Sequence, residues 1–172
     1  MSPRSTTANE IRKAIENAGL EFIEPEGIRR RLDEVKVYQG PDSCDLFFED
    51  VFQTIKEDGN EVIALFKSPE IMQQLCLAAH DSFEQLGEFS SIKCLLSSVP
   101  ERSLLVPQLQ LRIIPKQHIG PISFFTYGGK HAIIMEQVNS TFKFVVFDMS
   151  SLAQAYRSNF FLLWDTASPF HL

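Results

Sequence analysis

Three cysteines, four histidines and a handful of cations carry what chemistry this 172-residue sequence offers. Cys44, Cys76 and Cys94 form an odd set without C-x-x-C spacing, which fits neither a disulfide framework nor a zinc ribbon. Reduced thiols of a cytoplasmic protein are the simplest reading. Cys76, His80 and Glu84 fall at i, i+4 and i+8, one face of a predicted helix. A closed metal site there would need further ligands that nothing nearby supplies. The alternative is a core cysteine beside a polar edge, and no metal or other cofactor is expected. His80, His118, His131 and His171 make no triad spacing with Ser97 and Ser98. No G-x-S-x-G, P-loop, H-E-x-x-H or G-x-G-x-x-G series occurs. Arg29-Arg30-Arg31 is the only basic run. It could touch phosphates, or it could be a solvated turn edge that pairs with Asp33 and Glu34.

The elements that must position these groups belong to a globular chain. Hydrophobic residues make up 44% and charged residues 22%, enough to bury a core. No apolar run reaches the roughly 18 residues a membrane helix requires, so no membrane partner is expected. The opening MSPRSTTANEIRK lacks the apolar stretch of a secretory signal. The net charge of −6 argues against a surface that coats nucleic acid. Phe is in excess, 15 residues against 3 Tyr and 1 Trp.

The sequence divides into two parts, 1–31 and 32–172. In the first, Thr7 to Glu10 fits a capping box ahead of Ile11, Ala14, Ile15 and Ala18 at helical spacing. Leu20–Ile23 and Ile28–Leu32 read as short strands about a turn. In the second, Val35–Gln39, Glu61–Phe66 and Ile92–Leu96 read as strands separated by helices over 42–58 and 68–86. That order predicts a parallel β-α-β-α-β unit. Leu109–Ile114, Ile122–Tyr127, Lys130–Gln137 and Thr141–Asp148 then read as strands, with Gly128-Gly129 as a hairpin turn. A last helix over 150–167 places Tyr156, Phe160, Leu163, Trp164 and Ala167 on one face. The expected fold is mixed α/β, about seven strands flanked by three principal helices. The Phe pairs at 47/48, 124/125 and 160/161 are expected to send one ring to each side of their element.

Two family resemblances follow from particular residues. Ile11, Arg12, Ala14, Ile15, Glu16, Ala18, Gly19, Glu21, Phe22, Ile23, Gly27, Ile28 and Arg29 resemble the segment that follows the DNA-binding helices of Cro-type (XRE) helix-turn-helix regulators. In that family the reading helices come before this segment, so this chain is expected to lack them. Residues 35–172 resemble the effector half of TrmB-like regulators, a module of the phospholipase D-like fold. The resemblance lies in Val35 to Tyr38, Gly40, Phe48 to Asp50, the EVIALF strand, Arg112 to Pro115, Tyr127 to Ile134, Leu152 to Tyr156, Phe160, Leu163 and Trp164.

The resemblance implies a place for chemistry. Active phospholipase D-type enzymes use H-x-K-x-x-x-x-D, with His as nucleophile and Lys on the phosphate oxygens. The matching positions here are Pro121, Ser123 and Gly128, and no catalytic residue is expected. Lys130 and His131 lie close by, but adjacent strand residues face opposite ways. Arg112, Tyr127 and Lys130 are the candidate ligand-binding residues, suited to a small anionic or sugar-like effector. Their alternative is two solvent-facing strand cations and a hairpin aromatic. Trp164 reads as a core anchor. The implied function is a non-catalytic regulatory domain that senses a ligand or dimerises, probing DNA only through a part outside this sequence. A phosphodiesterase and a ligand-free interaction module are the alternatives. The charge divides accordingly, +1 over residues 1–31 (6 basic, 5 acidic) and −7 over residues 32–172 (10 basic, 17 acidic).

Overall fold

The structure is a computed structural model that describes residues 20–22, 28–30, 34–58, 61–100 and 108–170. The chain forms two compact units, Met1–Asp33 and Glu34–Leu172. In the first, β1 (Leu20–Phe22) pairs antiparallel with β2 (Ile28–Arg30). The helix expected over 7–18 lies outside the described residues, as do Arg31 and Asp33 of the expected charge pairs, while Glu34 stands 3.9 Å from Lys36.

In the second unit the elements run β3 (Glu34–Tyr38), α1 (Ser43–Asp58), β4 (Val62–Leu65), α2 (Pro69–Ala78), α3 (His80–Phe89) and β5 (Ile92–Leu96). They continue with β6 (Leu109–Ile113), β7 (Ser123–Tyr127), β8 (Lys130–Glu136), β9 (Phe142–Asp148), α4 (Ser150–Thr166) and β10 (Ser168–Phe170). Eight strands make one mixed sheet in the order β10-β6-β5-β4-β7-β8-β9-β3. Only β4-β5 and β5-β6 are parallel. The eighth strand, β10, pairs antiparallel with β6 and contains Pro169. A sheet-edge place suits a residue with no N–H to give.

The expected β-α-β-α-β unit is corrected at its first strand. β3 lies not beside β4 but at the far edge, antiparallel to β9. Burial explains the exchange. Every residue of β4 is buried, so β4 needs cover on both faces and takes a central place. β3 alternates Glu34 and Lys36 with Val35 and Val37, a pattern that tolerates an edge.

The single helix expected over 68–86 is also corrected. It breaks at Ala79, whose backbone (φ −132, ψ 41) is not helical, and α3 restarts at His80. The break lets Met72, Leu75 and Cys76 on one segment and Phe83 and Leu86 on the next all reach the core. It also separates buried Cys76 from exposed His80 and Glu84, so the i, i+4, i+8 face does not form.

The helices divide between the two faces of the sheet. On one face α1, α2 and α3 cover a core rich in Phe. Phe47 stacks on Phe144 at 4.1 Å and meets Phe48, Phe125 and Tyr127 edge-on at 5.3–5.9 Å. Such offset and edge contacts add to burial itself. On the other face α4 packs Phe160 and Trp164, with Ala167 just after it, against Ile63, Leu65, Leu95 and Phe124. Trp164 is the core anchor its place in the pattern suggested. The pair 124/125 does send one ring to each face, whereas Phe47 and Phe48 bury in the same cluster. Neighbours on a helix are only about 100° apart, so both fit one wide apolar stripe.

The hairpin joining β7 to β8 is wedged between two helices. Gly128 has φ +51, and a Cβ there would stand 2.6 Å from both Thr54 Cγ2 and Asp58 Oδ2 on α1. A Cβ on Gly129 would stand 2.9 Å from Ser150 Oγ at the start of α4. Ser43, at the start of α1, donates from Oγ to the carbonyl of Phe142 at 2.7 Å and ties that helix to β9.

Candidate functional site

The three residues singled out as ligand-binding do not converge. Tyr127 and Lys130 face each other across the hairpin, on the α1 side. Lys130 Nζ donates to Asp50 Oδ1 at 2.8 Å, and the Tyr127 hydroxyl donates to Asp50 Oδ2 at 2.7 Å. Lys130 and Asp50 are both largely buried. Burial, and then the charge of Asp50, raises the Tyr127 pKa well above its ordinary value. The same two causes push Tyr38 up to about 12. Both phenols are therefore neutral donors at neutral pH, and the carboxylate is satisfied from two sides. The cluster ties α1 to the hairpin and commits Tyr127 and Lys130 to Asp50.

Arg112 lies on the opposite face. It stands beside Leu95, Leu95 beside Leu65, and Leu65 beside Phe124. Phe124 and Tyr127 are three residues apart on one strand, so their side chains take opposite sides. Arg112 donates from Nη1 to the Trp164 carbonyl at 2.6 Å, and its guanidinium lies 4.6 Å from the Trp164 ring centre. It holds the last turn of α4 in place, by a backbone hydrogen bond and a cation–π contact.

The α4 face also carries a cavity of about 310 Å³. Leu65, Phe124, His131 and Phe160 are buried in its wall, and exposed Ile122 and Asn159 stand among its lining. His131 is 1% exposed. Its Nδ1 lies 2.9 Å from Thr126 Oγ1, its partner in the strand register. The ring stacks on Tyr156 at 3.7 Å and approaches Phe124 at 5.2 Å. Burial lowers its pKa from 6.5 to about 4, so the imidazole is neutral at neutral pH. Nε2 is buried and has no hydrogen-bond partner among the described residues. A buried polar atom without a partner is costly and asks for an occupant.

The strand expected to carry phospholipase D chemistry borders this cavity. Pro121 is exposed and lines it. Ser123 is buried, and its Oγ accepts from the Lys67 backbone N–H at 3.1 Å. Gly128 is at the hairpin tip.

Comparison with solved structures places this architecture. Nuc of Salmonella typhimurium, a phospholipase D family member, superposes with a TM-score of 0.52 at 15% identity, over 82% of this chain and 100% of Nuc. The fold is phospholipase D-like. NucT of Helicobacter pylori gives a TM-score of 0.50 at 7% identity, over 81% of this chain and 100% of that one. TrmBL2, described as an archaeal chromatin protein with a novel mode of DNA binding, gives 0.54 at 14% identity over 97% of this chain. This chain spans 62% of the length of TrmBL2. No protein-family model and no curated protein matches the sequence.

Within the phospholipase D-like fold, most of the other sequence candidates sit on the helices between β4 and β5. His80 approaches Asp81 at 3.5 Å and Glu84 at 3.7 Å in an exposed cluster. Burial raises the thiol of Cys76 to about 12, and that of Cys94 well above its usual value, so neither is a ready nucleophile. No helix among the described residues is long and apolar enough to cross a membrane. Sequence reasoning passed over His131 as a site residue. Its one signal was a histidine opposite a threonine, next in register to the apolar pair Phe125 and Ala132.

Proposed function

We propose that the Glu34–Leu172 unit is a non-catalytic regulatory domain, the ligand-sensing part of a DNA-binding regulator. The observation that carries this reading is the cavity beside Pro121. At the positions matched to the His, Lys and Asp of active enzymes this chain has Pro121, Ser123 and Gly128, and Pro121 lines a space of ligand size. The likeness to a DNA-binding chromatin protein supports a regulatory setting. The formal charge of −7 over residues 32–172 supports contact with DNA through another part of the protein.

Self-association fits the same reading. Val35 and Val37 are 55% and 49% exposed on edge strand β3, beside half-buried Val145 and Phe147. An apolar strip on a sheet edge suits a second copy of the chain. A hydrolysis assay with bis(4-nitrophenyl) phosphate tests the non-catalytic reading. No turnover above the uncatalysed rate is expected. Turnover that is lost in the Ser123→Ala variant would overturn it.

A further inference from the structure

We propose that the cavity under α4 takes a flat, uncharged aromatic molecule bearing one hydroxyl, rather than the anionic effector that Arg112 and Lys130 suggested. The inference rests on the sensor reading above and narrows it to a ligand class.

Four observations point the same way. First, size: an apolar cavity of about 150 Å³ already holds benzene, and this one has about 310 Å³. A two-ring molecule fits. Second, shape: Tyr156 and His131 lie stacked in the wall, and Phe124 meets both rings at 5.2 Å. Flat rings with Leu65, Phe160 and Leu163 around them favour a flat partner. Third, charge: among the described residues no Lys, Arg, Asp or Glu lines the cavity. Arg112, on the same face of the sheet, is already held by Trp164. A phosphate or carboxylate would lose its water and find no counter-charge.

The fourth observation sets the polar group. His131 has one nitrogen on Thr126 and the other without a partner among the described residues. If Thr126 donates to Nδ1, Nε2 carries the proton and seeks an acceptor. If Nδ1 donates to Thr126, Nε2 seeks a donor. A hydroxyl serves in either tautomer. Exposed Asn159 and His118, also in the lining, give the opposite end of a ligand polar company near solvent.

The test is calorimetric titration of the full chain with three probes of one shape: naphthalene, 1-naphthol and 1-naphthyl phosphate. The expected order is 1-naphthol first, naphthalene weaker by about tenfold, the value of one well-made buried hydrogen bond. The phosphate ester is expected weaker again than naphthalene. His131→Phe should remove the preference for 1-naphthol over naphthalene and leave naphthalene binding in place. Ile122→Trp changes an exposed residue of the lining, so it leaves the core intact and should weaken both neutral probes at least tenfold by filling the space.

Equal or tighter binding of the phosphate ester would overturn the ligand class and leave the sensor reading standing. Neutral-probe binding that Ile122→Trp does not weaken would place the ligand elsewhere and overturn the site. Should none of the probes bind and no sugar or phosphorylated metabolite raise the melting temperature, the sensor reading falls with it.

Discussion

Replacing His131 by phenylalanine should flatten the pH dependence of stability between about pH 6.5 and pH 4. Burial holds the folded-state imidazole neutral down to about pH 4, whereas in the unfolded chain it protonates at an ordinary 6.5. In that window the unfolded chain binds a proton that the folded chain does not. Stability therefore rises with pH across it, and is lost as pH falls from about 6.5 to about 4. The full effect of a pKa moving from 6.5 to about 4 is about 3 kcal/mol. By pH 5 the loss relative to pH 7 should reach about 2 kcal/mol. Phenylalanine keeps a ring for Tyr156 to stack on and removes the titration. Losing the Thr126 bond lowers the variant's stability equally at every pH and does not enter the slope. Urea denaturation of both proteins at several pH values gives the comparison, and acidic groups elsewhere cancel in the difference. Parallel loss of stability in the two proteins would refute the reasoning, because the histidine would then titrate as if in water.

Three further outcomes follow from named contacts. Lys130→Met removes the cation paired with the largely buried Asp50 carboxylate, which keeps the Tyr127 hydroxyl as a donor, and should cost about 3 kcal/mol in a denaturation experiment. Combining it with Asp50→Leu should recover much of that loss, which a double-mutant cycle would read. Gly128→Ala forces a side chain into a φ of +51 and against Thr54, which is itself bonded to the Asp50 carbonyl. A loss of about 2 kcal/mol is expected, against little change for Gly120→Ala, where a Cβ meets nothing within 4 Å. Ser43→Ala strips the Phe142 carbonyl of a buried partner and should lower the unfolding free energy by about 1–2 kcal/mol.

Much of the fold could be read from the chain because its elements carry local signals. The Gly128-Gly129 turn, the Ser68-Pro69 helix start and the alternation in β6 are each set by neighbouring residues. The exceptions had none. Ala79 breaks a helix without Gly or Pro, because the core on either side rewards re-aiming the two halves. Strand β3 found a partner more than 100 residues away, which only the competition for the sheet centre decides. The site was less legible for the same reason. Lys130 and Tyr127 were visible, but Asp50 is 80 and 77 residues from them. Arg112 looked equivalent to Lys130 in sequence, yet strand parity puts the two on opposite faces. His131 was rightly set apart from Lys130, and only the packing of α4 showed that its own side holds a cavity.

The strand order also has a consequence for what this unit can hold apart. Its first strand and its last occupy the two extreme edges of the sheet. Seven strand spacings separate them, on the order of 34 Å at the usual 4.8 Å each. Glu34 and Phe170 therefore lie far apart, and a short linker could not bring these two ends of the sheet together. Circular permutation that joined Phe170 to Glu34 would demand a bridge of about ten extended residues.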